Sequence, residues 1–342
     1  MKPQEMQDQL AFLISAPRSG STLLARMLGS HPEVFAPAEP HLIPPLAHLG
    51  LHERVERAPY DPVITQRGLR AFVRLLPGGE DDYLEALRAA TDLLYGRALG
   101  ASGRRLLLDK TPAYALVLDF LVRLYPRARY IVLTRHPLAV WSSYVDSFFD
   151  GDFRGAHQHN PILERYVPAI GRFLRERPVP IHWLRYERLV EDPEAELQEI
   201  CGFLGLDFDP ALVEYGRARA EPPRTDRALG DPVGVARQSR PTTDSLSKWR
   251  EALAGDAERL AQSREILAQL TDADLACWGY PPAELRRELA ALPPRRAGPG
   301  PLRLTRYALE RRLLVALRRN IRHNALGRLV RQVRTLCDVL LR

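Results

Sequence analysis

Short unbroken apolar runs occur at wide intervals along this chain. Leu10–Ala16 (LAFLISA) is apolar throughout and rich enough in β-formers to predict a buried strand. Residues 105–109 (RLLLD), 129–134 (RYIVLT) and 180–185 (PIHWLR) are three more such runs. Between the runs the apolar spacing becomes helical, over Thr22–Leu28, Tyr114–Leu124 and Pro137–Phe148. Segment 194–204 predicts an amphipathic helix, with Asp192-Pro193 at its entry and Gly205 at its exit. Residues 251–290 are helical in pattern, interrupted at Trp278-Gly279-Tyr280-Pro281-Pro282. Strands alternating with helices predict an α/β domain with a central parallel sheet and helices on both faces.

The pattern changes at Pro293–Pro301 (PPRRAGPGP), a linker by composition, so the folded domain is expected to span residues 1–292. Beyond it Leu309, Leu313, Leu317, Ile321, Ala325, Leu329, Val333, Leu336 and Leu340 recur at three- and four-residue steps. Such a stripe predicts a basic amphipathic helix as an appendage over residues 302–342. Charge sharpens this division. Residues 303–342 hold eleven arginines against Glu310 and Asp338, a net +9, which leaves −2 of the chain's total +7 on residues 1–302. The basic character therefore belongs to the tail, and a nucleic-acid-binding body is not expected.

At 342 residues, 45% hydrophobic and 27% charged, the chain has material for a substantial core and is not a collagen-like or disordered sequence. No apolar run approaches the ~20 residues that span a bilayer, and the first ten residues lack a leader-peptide pattern. Three widely spaced cysteines fit a reducing cytoplasm better than a disulfide scaffold. Only Lys2, Lys110 and Lys248 are lysine among 49 basic residues. A lysine in so arginine-rich a chain points to a place that needs a compact, mobile ammonium.

The segment Ser15-Ala16-Pro17-Arg18-Ser19-Gly20-Ser21-Thr22-Leu23-Leu24 runs from a strand through a small-residue turn into a helix. Backbone N–H groups at such a helix start form an anion site, and Gly20 lets the backbone approach a phosphate. Ser19, Ser21 and Thr22 add hydroxyl donors and Arg18 adds charge; a plain helix cap would use the same residues. The ATP/GTP loop pattern G-x-x-x-x-G-K-[ST] is absent. A second segment, Thr134-Arg135-His136-Pro137 through Ser143, places Arg135 at the carboxyl end of a strand and Ser143 less than two turns into the next helix. The pair could hold one more phosphate; a surface arginine capping a strand is the simpler alternative.

Together these segments resemble the sulfotransferases that use 3′-phosphoadenosine 5′-phosphosulfate (PAPS). The strand–PRSGSTLL–helix element is similar to their 5′-phosphosulfate loop, with Arg18, Ser19, Gly20, Ser21, Thr22 and Leu23 as its residues. Arg135 and Ser143, eight apart, match their 3′-phosphate motif, and Tyr186 in RYERLVEDP lies where the family places a tyrosine near adenine. Ser245-Leu246-Ser247-Lys248-Trp249 looks like the late segment that closes over the nucleotide, implicating Ser245, Lys248 and Trp249. The motifs appear in family order over roughly residues 10–282. Pro17-Arg18-Ser19-Gly20, His31-Pro32, Glu39-Pro40-His41 and Asp109-Lys110-Thr111-Pro112-Ala113-Tyr114 are most similar to the tyrosylprotein and bacterial natural-product branches, polyketide assembly-line domains included.

The resemblance implies a P-loop-like three-layer domain, PAPS as co-substrate, and no metal. It makes Glu39 the expected base, while the chemistry of sulfuryl transfer assigns Arg18 and Lys110 to the leaving group and leaves His41, by residue type, as the other candidate base. Arg18 stands where the cytosolic small-molecule branch has lysine, and no histidine follows Lys110 in that branch's Lys-x-His arrangement. The expected reaction is in-line sulfuryl transfer to a hydroxyl of a small or carrier-bound acceptor. Sulfation of protein tyrosine or carbohydrate is the alternative within the class, and a non-catalytic nucleotide-binding adaptor is the alternative outside it. His157-Gln158-His159 lacks further ligands at metal spacing and is expected to be a solvated loop. The basic tail is expected to serve self-association or docking to a carrier protein, ahead of a membrane surface.

Overall fold

The computed structural model describes residues 3–52, 61–217 and 239–292. Five strands form one wholly parallel sheet: β1 (Leu10–Ser15), β2 (Val34–Phe35), β3 (Leu106–Asp109), β4 (Arg129–Thr134) and β5 (Ile181–Arg185), in the order β2-β3-β1-β4-β5. All six residues of β1 are buried. A parallel sheet covered on both faces explains why its strands read as continuous apolar runs rather than alternating ones. Side chains still alternate between two cores. Leu10, Phe12 and Ile14 join Leu107, Tyr130 and Val132 on one face, whereas Ala11 and Leu13 join Leu108, Ile131 and Leu133 on the other.

Helices Pro137–Phe149 and Ile162–Glu176 cover the first face, and helices Ser21–Gly29 and Pro193–Leu204 cover the second. The arrangement is the three-layer α/β fold expected. Its topology positions the site. From β1 the chain crosses to β2 on one side of the sheet, and from β4 it crosses to β5 on the other. The loops leaving β1 and β4 therefore part in opposite directions and open a crevice at the strands' carboxyl ends.

Several elements differ from expectation. The helix predicted over Tyr114–Leu124 is a 3₁₀ turn, Pro112–Leu116, and a separate helix, Leu118–Leu124, broken at Val117 where φ is −130°. His157-Gln158-His159 is no loop: it ends the helix Phe153–His159, and His157 Nε2 lies 2.5 Å from Glu164 Oε1. The two-residue β2 and the helices Pro62–Val73, Glu80–Ser102 and Ile162–Glu176 have no counterpart among the predicted elements. Segment 194–204 is helical as predicted, with Asp192 accepting from the Ala195 N–H and Gly205 left-handed at its end. Among the described residues no helix is long and apolar enough to cross a membrane. The linker at 293–301 and the appendage at 302–342 lie outside the described residues.

Candidate active site

After β1 the chain turns through Ala16-Pro17-Arg18-Ser19-Gly20 into the helix Ser21–Gly29. Arg18 (φ 68°) and Gly20 (φ 95°) are both left-handed, which curls the turn, and Ser19 N–H donates back to the Ala16 carbonyl at 3.3 Å. No side chain caps the helix at Gly20, leaving the first-turn donors to an anion. A methyl on Gly20 would lie 2.3 Å from Tyr186 Cδ2, so only glycine lets that ring pack against the turn.

Arg135 follows β4 directly and points back to the same turn. Its Nη1 donates to the Arg18 carbonyl at 3.1 Å and its Nη2 to the Ser245 carbonyl at 3.1 Å. Its guanidinium sits 4.3 Å from the centre of the Tyr186 ring, whose hydroxyl is 2.8 Å from Ser245 Oγ. Arg18 Nε donates to Ser143 Oγ at 3.1 Å, and Ser143 rides on the helix that Pro137 starts. Burial lowers the Arg135 pKa from its ordinary value, and its Nε is buried without a partner. A desolvated guanidinium is unfavourable unless opposite charge can approach it.

The second set of groups surrounds Lys110, just past β3. Its side chain is 5% exposed, and its Nζ donates to Glu39 Oε1 at 2.5 Å and to Thr22 Oγ1 at 3.4 Å. Glu39 Oε2 lies 3.3 Å from His41 Nε2, and His41 is itself left-handed, with φ 54°. The lysine thus connects the helix start to the two residues named as candidate bases.

These groups line one cleft of about 570 Å³. Arg18, Gly20, Ser21, Thr22, Leu23, Glu39, His41, Arg135, Ser143, Tyr186, Ser245, Lys248 and Trp249 all form its wall. Two nominated residues do not. Lys110 reaches the wall only through Thr22 and Glu39, and Ser19 is fully buried with an unpartnered hydroxyl. Trp249 stacks on His136 at 4.2 Å, and His136 Nε2 lies 2.8 Å from Glu288 Oε2, so the late helix Lys248–Ala254 is docked against the strand end.

Other wall residues went unnoticed in the sequence. Asp146 and Ser147 lie three and four residues beyond Ser143, on the helix face that Ser143 already marked. Phe148 follows them, and Pro112, Ala113 and Tyr166 extend the wall beside Glu39 and His41. Tyr166 comes from a helix that no sequence signal linked to the site. Arg259 holds this wall from behind, donating to Ser142 Oγ at 2.9 Å and to Asp146 Oδ1 at 3.1 Å.

A parallel α/β sheet with cationic side chains gathered at a glycine turn beside its switch point is a P-loop-like three-layer arrangement. Its sequence relatives make the class specific. The pattern of the sulfotransferase family matches residues 11–210, more than half of the chain, and the chain belongs to that family. Nodulation protein NoeE of Sinorhizobium fredii is 30% identical over 288 residues, covering 78% of this chain and 64% of that protein. The chain therefore spans less than two thirds of NoeE. Protein-tyrosine sulfotransferase 2 of Gallus gallus is 25% identical over 313 residues, 86% of this chain and 73% of that one. Among solved structures, the sulfotransferase domain from the Synechococcus PCC 7002 olefin synthase is 31% identical, covers 70% of this chain and 86% of its own, and superposes with a TM-score of 0.47.

Proposed function

We propose that this protein transfers a sulfuryl group from PAPS to the hydroxyl of a small or carrier-bound acceptor. The carrying observation is that one cleft has Arg18, Arg135 and Ser143 in its wall, with Lys110 held just behind that wall against Thr22 and Glu39. A nucleotide phosphorylated at both the 3′ and 5′ positions suits two such cationic places on either side of a helix start. The residues fit the donor: Arg135 and Ser143 would take its 3′-phosphate, the turn Arg18–Leu23 its 5′ end, and Tyr186 with Trp249 its base.

When bound, PAPS supplies a sulfuryl group on a phosphate that departs with negative charge. Lys110 and Arg18 bring positive charge to that departure, and the N–H groups of the turn add fixed dipoles where charge develops. Glu39, ion-paired to Lys110, takes the acceptor's proton, and His41 holds its second oxygen. Phe148, Tyr166, Pro112 and Ala113 orient the acceptor. The cytoplasm is the proposed setting, on the three widely spaced cysteines. The similarity to protein-tyrosine sulfotransferase 2 favours a tyrosyl hydroxyl as the second reading of the acceptor.

Calorimetry with adenosine 3′,5′-bisphosphate and with AMP tests the reading. One charge-assisted contact is worth about 1.5–3 kcal/mol, so the bisphosphate is expected to bind roughly one to two decades more tightly. Equal affinities would overturn it.

A further inference from the structure

Asp109 ends β3 and is completely buried, yet nothing assigned so far uses it. Its Oδ2 accepts from the Tyr95 hydroxyl at 2.7 Å and the Tyr114 hydroxyl at 2.8 Å, and its Oδ1 accepts from Thr111 Oγ1 at 3.0 Å. Both oxygens of a carboxylate are acceptors, which matches three hydroxyl donors. Burial pushes both tyrosines above their ordinary values, so they stay protonated as donors. Burying an acid among Phe12, Leu107 and two tyrosine rings is unfavourable unless its oxygens are hydrogen-bonded, and a cluster apolar throughout would carry no such cost. Packing alone therefore does not account for an aspartate here.

Its connections converge on the next residue. The Asp109–Thr111 bond closes a ring across the Lys110 backbone. The Tyr114 bond ties down the turn Pro112–Leu116, whose Pro112 and Ala113 line the cleft. The Tyr95 bond anchors the cluster to the helix Glu80–Ser102, which contributes no residue to the cleft wall. A flexible lysine stem is useful at a reacting centre only when its root is rigid, since fully satisfied buried networks stiffen the backbone they join.

We propose that Asp109 is the positioning residue for Lys110: its hydrogen bonds to Tyr95, Tyr114 and Thr111 hold the end of β3 so that the ammonium meets Thr22 and Glu39. The proposal rests on the reading that Lys110 acts in sulfuryl transfer. In the full chain, the double variant Tyr95→Phe/Tyr114→Phe keeps both rings and removes only the hydroxyls. It is expected to lower kcat roughly tenfold or more, with affinity for adenosine 3′,5′-bisphosphate within about twofold. Asp109→Asn alone keeps an acceptor toward both tyrosines and an amide toward Thr111, and is expected to hold kcat within about threefold of the parent.

Three results would overturn the proposal: unchanged kcat in the double variant, kcat and nucleotide affinity falling together in it, or Asp109→Asn as slow as the double variant. The first two show no role or a merely structural one, and the third shows that charge rather than hydrogen bonding matters. Lys110→Ala in the same assay separates the two levels. Normal turnover there removes the functional reading itself, whereas slow turnover beside a normal double variant removes only the role of Asp109.

Discussion

Lys110 Nζ lies 2.5 Å from Glu39 Oε1, so the lysine assigned to the leaving group and the first candidate base form one ion pair. Both are largely withdrawn from solvent, with side chains 5% and 13% exposed. Each residue therefore sets the position and the electrostatics of the other. Single substitutions will not partition cleanly between them, and coupling is expected.

Lys110→Ala separates catalysis from binding. Charge on the leaving group is greatest in the transition state, so kcat is expected to fall by more than product-nucleotide affinity does. Turnover assays and calorimetry on the same preparation check this. Normal turnover would leave Lys110 as a structural partner of Glu39.

Glu39→Gln and His41→Ala distinguish the two candidate bases. Glu39 is in contact with both Lys110 and His41, whereas His41 is 45% exposed and touches Glu39 alone in this group. Loss of the base is expected to slow turnover ~10²–10⁴-fold, and that loss is expected at Glu39, with a smaller one at His41. The reverse order would make His41 the base.

Arg135→Ala tests the 3′-phosphate assignment. Affinity for adenosine 3′,5′-bisphosphate is expected to drop by roughly one to two decades, while AMP binding changes little. An equal loss for both nucleotides would mean that Arg135 serves only to brace Arg18 and Ser245, whose carbonyls it already holds.

His182 on β5 gives a stability prediction independent of catalysis. Burial lowers its pKa from the ordinary 6.5, and its Nε2 is buried without a hydrogen-bond partner, beside Phe203. A histidine whose native pKa lies below its unfolded value favours folding above pH 6.5 and opposes it as pH falls toward the native value. His182→Phe is therefore expected to shrink the loss of Tm between neutral and mildly acidic pH. An unchanged difference would show that other groups govern the acid side.

The tail is open to a truncation. Helix Pro282–Ala291 buries Leu285 and Leu289, and its Glu288 meets His136, so the described residues are packed up to the proposed linker. A chain ending at residue 292 is expected to melt cooperatively, to bind adenosine 3′,5′-bisphosphate as the full chain does, and to elute as a smaller assembly. An unfolded product would place residues 293–342 within the domain core.

Where local patterning is decisive, the amino-acid order alone was sufficient. Three strands were evident because both faces of a parallel sheet are covered, which leaves apolar runs at Leu10, Leu106 and Arg129. The edge strand β5 was read from Ile181, Trp183 and Leu184, although Trp183 is exposed. The turn Arg18–Gly20 and the Arg135/Ser143 spacing were evident because each lies within one strand–turn–helix unit. The two residues of β2 are too short to show a period, and Pro168 reads as a breaker inside the helix Ile162–Glu176 despite its apolar stripe. Helix Glu80–Ser102 carries exposed Leu93 and Leu94 opposite buried Leu84 and Tyr95, so apolar residues on both sides blur its pattern. The meetings that make the site were decided by strand order and register. Arg18 with Ser143, Arg135 with Ser245, and Lys110 with Glu39 lie 125, 110 and 71 residues apart. No local propensity encodes such contacts. They exist because β1 is seated between β3 and β4, which brings three separate strand ends to one crevice.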